Sequence, residues 1–298
     1  MTSVIGTIVV PLDGSSLAEA ALLPGRDLAG RAGATLRLVG VLSEHADAAE
    51  ERRFAERLRL AARRAGVEAV PDIRRGAPAD QILTEAAGLP QPLIVMTTHG
   101  RSGPGRWLLG GVASRVVRGG EAPVLLLRSG MTTPASVASI RRIMVPLDGS
   151  AYGEAAIPLA AELAELFDAE LRLVRVAETG QLATSFGTTL FSTTREVVSL
   201  LAQDLEAAAD AYLATTSERL SSRGLRVYPV TLRGFPTAEL LAQERNALVD
   251  LVVMATHARS GLGRIVVGSV AEELLQAGRR PILMVHPPMG WSAPVVFP

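Results

Sequence analysis

The sequence predicts an α/β protein made of two tandem doubly wound domains, each built on a five-stranded parallel sheet. Three observations lead there. Short β-branched runs without alternation recur between amphipathic segments, the rhythm of buried parallel strands joined by crossover helices. The stretch Val10-Pro11-Leu12-Asp13-Gly14-Ser15 returns letter for letter as Val145-Pro146-Leu147-Asp148-Gly149-Ser150. A glycine-rich loop running from Thr98-His99-Gly100-Arg101 to Gly110-Gly111-Val112 follows Leu93-Ile94-Val95-Met96, and its counterpart, Thr256-His257-Ala258-Arg259 to Gly268-Ser269-Val270, follows Leu251-Val252-Val253-Met254. A chain of 298 residues accommodates two such domains, set here at residues 1–130 and 140–290.

Taken in order, residues 5–12 form a first strand that stops at the Asp13-Gly14-Ser15 turn. Residues 16–29 read as a helix capped by Ser15 or Ser16 and kinked or shortened at Pro24-Gly25. Leu36 and Leu38 alternate in a second strand over 34–42. Residues 50–64 form a charged helix closed by Gly66. Its Arg52, Arg53, Arg57, Arg63 and Arg64 interleave with Glu50, Glu51 and Glu56, so this face reads as solvated rather than as a nucleic-acid stripe. Residues 67–74 make a third strand, an edge strand because Pro71 has no N–H for a ladder. A helix over 76–88 with Pro78 in its first turn, a strand over 93–97, a helix over 111–118 and a strand over 123–128 complete the first half. The Ser/Thr/Pro-rich residues 129–139 form a linker.

The second half repeats this series with an addition. Asp13 and Asp148 lie 135 positions apart and Gly100 and Ala258 lie 158 apart, so 23 extra residues enter, mostly between Glu178 and Asp204. The extra piece reads as a mobile flap or dimer-contact loop over 180–194, followed by a long helix over 195–222.

Composition removes several functions. Lys+Arg 30 against Asp+Glu 30 gives a formal net charge of +0, which argues against a nucleic-acid or anionic-membrane partner. Every cation is arginine, so a Walker lysine, a Schiff-base lysine and a lysine base are excluded. Cys 0 excludes thiol catalysis and disulfides. No basic leader precedes an apolar segment and no apolar run approaches the ~20 residues of a membrane span, so a soluble cytoplasmic chain is expected.

Together these motifs resemble the universal stress protein family in its tandem two-domain form. ATP-binding members of that family carry a glycine, two residues, a glycine, nine residues, then glycine and Ser or Thr. Here Thr97-Thr98-His99-Gly100, nine residues and Gly110-Gly111 follow the frame, as do Ala255-Thr256-His257-Ala258, nine residues and Gly268-Ser269. Thr97 and Ala255 replace the first glycine, Ala258 the second, and Gly111 the hydroxyl residue. The resemblance implies Rossmann-like sheets of order 3-2-1-4-5, with Asp13 and the loop after the fourth strand bordering one crevice.

It implies further that Asp13 holds the ribose and adenosine end of ATP, that the backbone at Val41 meets adenine, and that Gly100, Gly110 and Gly111 cradle phosphates whose charge Arg101, Arg106, Arg259 and Arg264 neutralise. Asp148, Val176, Gly268, Ser269 and Arg259 are the second set, and Pro11, Val112, Pro146, Ala258 and Val270 flank the two sites. Magnesium is an optional companion of the nucleotide. No catalytic or metal-binding residue is assigned, because His99 and His257 read as structural strand-end residues. The expected function is that of an ATP-binding stress-response or regulatory factor, the alternatives being an interaction protein without nucleotide and a slow ATPase. The resemblance also implies that the halves pack as a pseudo-dimer through their fifth strands and admits a homodimer. Asp13→Ala is expected to leave the fold intact, as a strand-end carboxylate in a wet crevice.

Overall fold

The computed structural model describes residues 4–98, 109–128, 140–180, 192–246, 249–259 and 265–287. The first half runs β1 (Thr7–Leu12), α1 (Ser16–Glu19), α2 (Leu22–Ala32), β2 (Thr35–Leu42), α3 (Ala48–Arg64), β3 (Asp72–Arg75), α4 (Pro78–Ala87), β4 (Pro92–Thr98), α5 (Gly111–Gly119) and β5 (Val124–Arg128). The second half begins with β6 (Arg142–Pro146), α6 (Ala151–Glu154), α7 (Ile157–Phe167), β7 (Glu170–Ala177), α8 (Ser192–Ser221) and β8 (Val227–Arg233). It closes with α9 (Pro236–Asn246), β9 (Leu251–Ala255), β10 (His257–Arg259), β11 (Ile265–Val266), α10 (Ser269–Ala277) and β12 (Ile282–Val285).

Ten strands join one sheet in the order β3-β2-β1-β4-β5-β12-β9-β6-β7-β8, so each half follows 3-2-1-4-5. Pairing is parallel inside each half. At the centre β5 and β12 run antiparallel, with Leu126 opposite Ile282, Leu125 opposite Leu283 and Val124 opposite Met284. Each fifth strand would otherwise be an apolar edge with unpaired backbone groups, and each satisfies the other's. Two apolar cores sandwich the sheet. One gathers residues of α2, α3, α7 and α8 and the other residues of α4, α5, α9 and α10, and both run across the two halves.

Three expectations are corrected. The helix expected over 16–29 is two helices: Ser15 caps α1, and the chain restarts at Leu22 so that Pro24 falls in the first turn of α2, where a missing N–H costs nothing. The third strand starts at Asp72, after Pro71 rather than through it, because the ladder to β2 begins at Val39 opposite Asp72. The long helix begins at Ser192 and has 30 residues against 17 in α3, so part of the insertion is helical. The linker at 129–139 and most of the loop expected over 180–194 lie outside the described residues.

A pseudo-twofold pair of buried side chains ties the halves together. Arg128 at the end of β5 donates from Nη2 to the carbonyl of Leu274 (2.7 Å), from Nη1 to Leu275 (3.0 Å) and from Nε to Arg280 (3.0 Å), covering the C-terminal end of α10. His286, just past β12, sets its ring nitrogens against the carbonyls of Val117 (2.7 Å) and Ala122 (3.0 Å) at the end of α5. The Arg128 cation suits the end of α10, since helix C-termini carry partial negative charge.

Close packing explains one glycine. A Cβ at Gly40 in β2 would stand 2.6 Å from Leu58 Cδ1, 2.8 Å from Phe54 Cε1 and 2.9 Å from Ile73 Cδ1. Gly40→Ala is therefore expected to overpack the contact between β2 and α3 and to destabilise by about 1–3 kcal/mol. Urea unfolding measures this, and a change below about 0.5 kcal/mol would show that α3 can simply move away.

Candidate functional site: a crevice at the carboxyl edge of the second half

The chain leaves β6 toward one face of the sheet and leaves its neighbour β9 toward the other, which makes their carboxyl ends a topological switch point. A cavity of about 840 Å³ opens there. Its apolar wall includes Val174, Val176, Leu205, Leu240, Met254 and Val270, and Asp148, Arg175, Glu178, Thr256 and Ser269 supply polar groups. A volume of this size lies within the usual range for small-molecule sites.

The Asp-Gly-Ser turn is built alike in both halves. Asp148 Oδ1 accepts from the Ser150 N–H (2.9 Å) and Oγ (2.7 Å), and Ser150 Oγ accepts from the Gly153 N–H (3.0 Å), capping α6. Asp13, Ser15 and Ala18 repeat these bonds at 2.9, 2.6 and 3.2 Å. Gly14 and Gly149 turn through φ +77° and +84°, where a side chain is strained. The Asp13 carboxylate is thus the acceptor that closes the turn, so Asp13→Ala would remove a local tie together with the charge. Asparagine, which keeps an oxygen there, is the cleaner replacement.

The structure brings Pro146, Asp148, Val176, Ser269 and Val270 to the cavity wall. Val176 lies near the end of β7, opposite Leu232. Gly268 is the N-cap of α10 and Ser269 its first residue, so the start of this helix faces the crevice with its unpaired N–H groups. In the first half Gly110 caps α5, Gly111 and Val112 open it, Pro11 lies in β1 opposite Val39, and Val41 lies in β2 opposite Arg74. Among the described residues a Cβ on Gly111 would meet nothing within 4 Å.

Gly100 and Arg101, with His99 and Arg106, lie outside the described residues, as does Arg264. Ala258 and Arg259 are described in backbone only. They lie in β10, which pairs antiparallel with β11 through His257–Val266 and Arg259–Ile265.

Sequence reasoning missed Thr256, Tyr152, Leu205, Leu240 and Arg175. Leu205 and Leu240 come from helices whose approach only tertiary packing sets. Arg175 carried a signal, a cation inside an otherwise apolar strand end. Its guanidinium stacks on Tyr212, 4.8 Å from the ring centroid. Tyr212 donates to Glu154 Oε1 (3.1 Å), and burial foremost, with the Glu154 charge, pushes its phenol well up, so it stays neutral. Glu154 is also ion-paired with Arg219.

Fold and crevice define a tandem doubly wound α/β protein with a ligand-sized opening at a switch point. The chain belongs to the universal stress protein family, which it matches over residues 5–128 and again over 139–286. It is 28% identical over 148 residues to a universal stress protein of Methanocaldococcus jannaschii, covering 50% of this chain and 83% of that one. It is also 28% identical over 202 residues to one of Mycobacterium tuberculosis, covering 65% of this chain and 61% of that one. A crystal structure of a universal stress protein from Archaeoglobus fulgidus superimposes with a TM-score of 0.69 at 17% identity, covering 96% of this chain and 99% of the other, which is a likeness of fold. Among the described residues no helix is long and apolar enough to cross a membrane.

Proposed function

We propose that this universal stress protein binds adenine nucleotide, ATP in particular, in the crevice of each half and acts as a regulatory factor in stress responses. The halves, with boundaries near residues 1–130 and 140–290, work as an internal pseudo-dimer through β5 and β12. The observation that carries the reading is the cavity of about 840 Å³ at the switch point between β6 and β9. An apolar slot between Val176, Leu240 and Met254 fits a purine, Asp148 faces a ribose, and the start of α10 at Gly268-Ser269 receives phosphate. The backbone at Val176, and at Val41 in the first half, supplies a donor and acceptor edge that suits adenine and mismatches guanine.

Calorimetric titration of the nucleotide-stripped protein tests this. ATP is expected to bind in the micromolar range, about −8 kcal/mol, and GTP at least tenfold more weakly. Equal heats for the two would count against adenine recognition. Asp148→Asn keeps the turn and removes the charge, and should weaken ATP at the second site by about three- to tenfold with little change in the thermal midpoint. An unaltered affinity would remove Asp148 from the site.

A further inference from the structure

The two halves place a guanidinium at the same point by different routes. In the second half Arg175, on β7, lies against the Asp-Gly-Ser turn: a Cβ built on Gly149 would meet its Cζ and Nη2 at 2.9 Å and Nη1 at 3.0 Å. In the first half Arg57, on α3, lies against the same turn, with its Nε 2.9 Å from a Cβ built on Gly14. Each stacks on an aromatic ring, Arg175 on Tyr212 at 4.8 Å and Arg57 on Phe54 at 5.6 Å from the centroids.

The rings are equivalent and the arginines are not. Phe54 and Tyr212 are separated by 158 positions, as are Gly66 and Gly224, the positive-φ glycines that follow α3 and α8. On that offset the counterpart of Arg57 is Thr215. The counterpart of Arg175, on the offset of 135 that holds before the insertion, is Gly40. Phe54, Leu58 and Ile73 fill the space where a side chain at Gly40 would go, so β2 cannot supply an arginine and α3 does. Common descent of the halves accounts for shared residues at equivalent positions. It does not account for one charged group reached from non-equivalent ones.

Among the described residues neither guanidinium is ion-paired, whereas Arg37, Arg74, Arg75 and Arg219 all are. Glu154, which accepts from Tyr212, is itself ion-paired with Arg219. An arginine stacked on a ring keeps its N–H fork pre-set for a planar or tetrahedral anion. Arg175 lines the cavity beside Asp148.

We infer that Arg175 and Arg57 are the anion-recognising residues on the Asp-Gly-Ser side of the two crevices, each taking a phosphoryl group of the bound nucleotide. This rests on the nucleotide reading above and adds a second phosphate contact across the crevice from the start of α10, and of α5 in the first half. It makes the ligand a nucleotide folded toward the turn, not a nucleoside.

The test compares adenosine with AMP on the full chain, using Arg175→Met and Arg57→Met singly and together. Methionine keeps an apolar stem against the ring and removes the charge. The unsubstituted protein is expected to prefer AMP, and the double variant to lose about tenfold of that preference while adenosine binding changes less than twofold. Each single variant should lose it at one of the two sites, and Arg175→Lys should restore part of the loss at the second. An AMP-to-adenosine ratio in the double variant equal to that of the unsubstituted protein overturns the inference and leaves nucleotide binding standing. Equal weakening of both ligands overturns it too, since the arginines would then only shape the wall. If the unsubstituted protein binds neither ligand, the nucleotide reading itself falls and this inference with it.

Discussion

Replacing Arg128 with alanine is expected to destabilise the chain by about 3–5 kcal/mol, because three backbone carbonyls would lose a charged donor together and each buried acceptor left unmade costs roughly 1–3 kcal/mol. Arg128 is 9% exposed and Glu244 is 3% exposed. Burial lowers the affinity of Arg128 for its proton and the Glu244 charge opposes that, so the guanidinium remains a cation. Glu244 in turn accepts from the backbone N–H groups of Arg279 and Arg280, which fixes the turn from α10 into β12. Without Arg128, two carbonyls at the end of α10 and that of Arg280 before β12 lose their donors, and the buried Glu244 carboxylate loses a nearby positive charge. The damage crosses the seam between the halves, because Arg128 belongs to β5 and everything it holds belongs to the second half. Denaturant unfolding with a probe in each half should show both transitions moving together. A loss below about 1 kcal/mol would mean that water replaces the fork and that β5 and β12 are held by apolar packing alone.

The second large effect is expected at the helix start. Ser269→Glu should lower ATP affinity at the second site by about a hundredfold, and Gly111→Glu should do the same at the first, because each sets a carboxylate where phosphate would rest and like charges brought together cost several kcal/mol. Stability should move the other way. Ser269 and Gly111 are both exposed first residues of their helices, and a carboxylate in a first turn favours the helix by about 0.3–1 kcal/mol. Opposite signs for affinity and stability separate a lost anion site from a damaged fold. A double variant that binds ATP as the unsubstituted protein does would place the phosphates elsewhere and sink the proposed pose.

Much of the fold was legible because the signals were local. Strand β1 and its turn follow from a β-branched run stopped by Asp13-Gly14-Ser15, and β6 from the same letters 135 positions later. The duplication announced two halves of like topology, which the structure joins into one sheet. Errors fell where a long-range partner overrides local preference: Val67 to Val70 have strand-forming character but no neighbour, since β2 offers its ladder only from Val39 onward. Arg57 shows the same limit in the site. Its neighbours in sequence mark a solvated helical face, yet its guanidinium turns onto Gly14 because Phe54, one helical turn earlier, lies against β2 and draws it in.

By itself the sequence determined the α/β class, the tandem repeat, the Asp-Gly-Ser turns and the residues that open α5 and α10, since each depends on near neighbours and on backbone freedoms that one or two residue types control. Only the tertiary structure decided how the cavity is walled, which arginines reach the turns, and how Arg128 and His286 clasp the opposite half. These depend on where separate elements cross, and crossing positions follow from side-chain volumes meeting across the sheet. The absence of a Cβ at Gly40 lets Phe54 down onto β2 in one half, whereas Arg175 and Tyr212 fill that layer in the other.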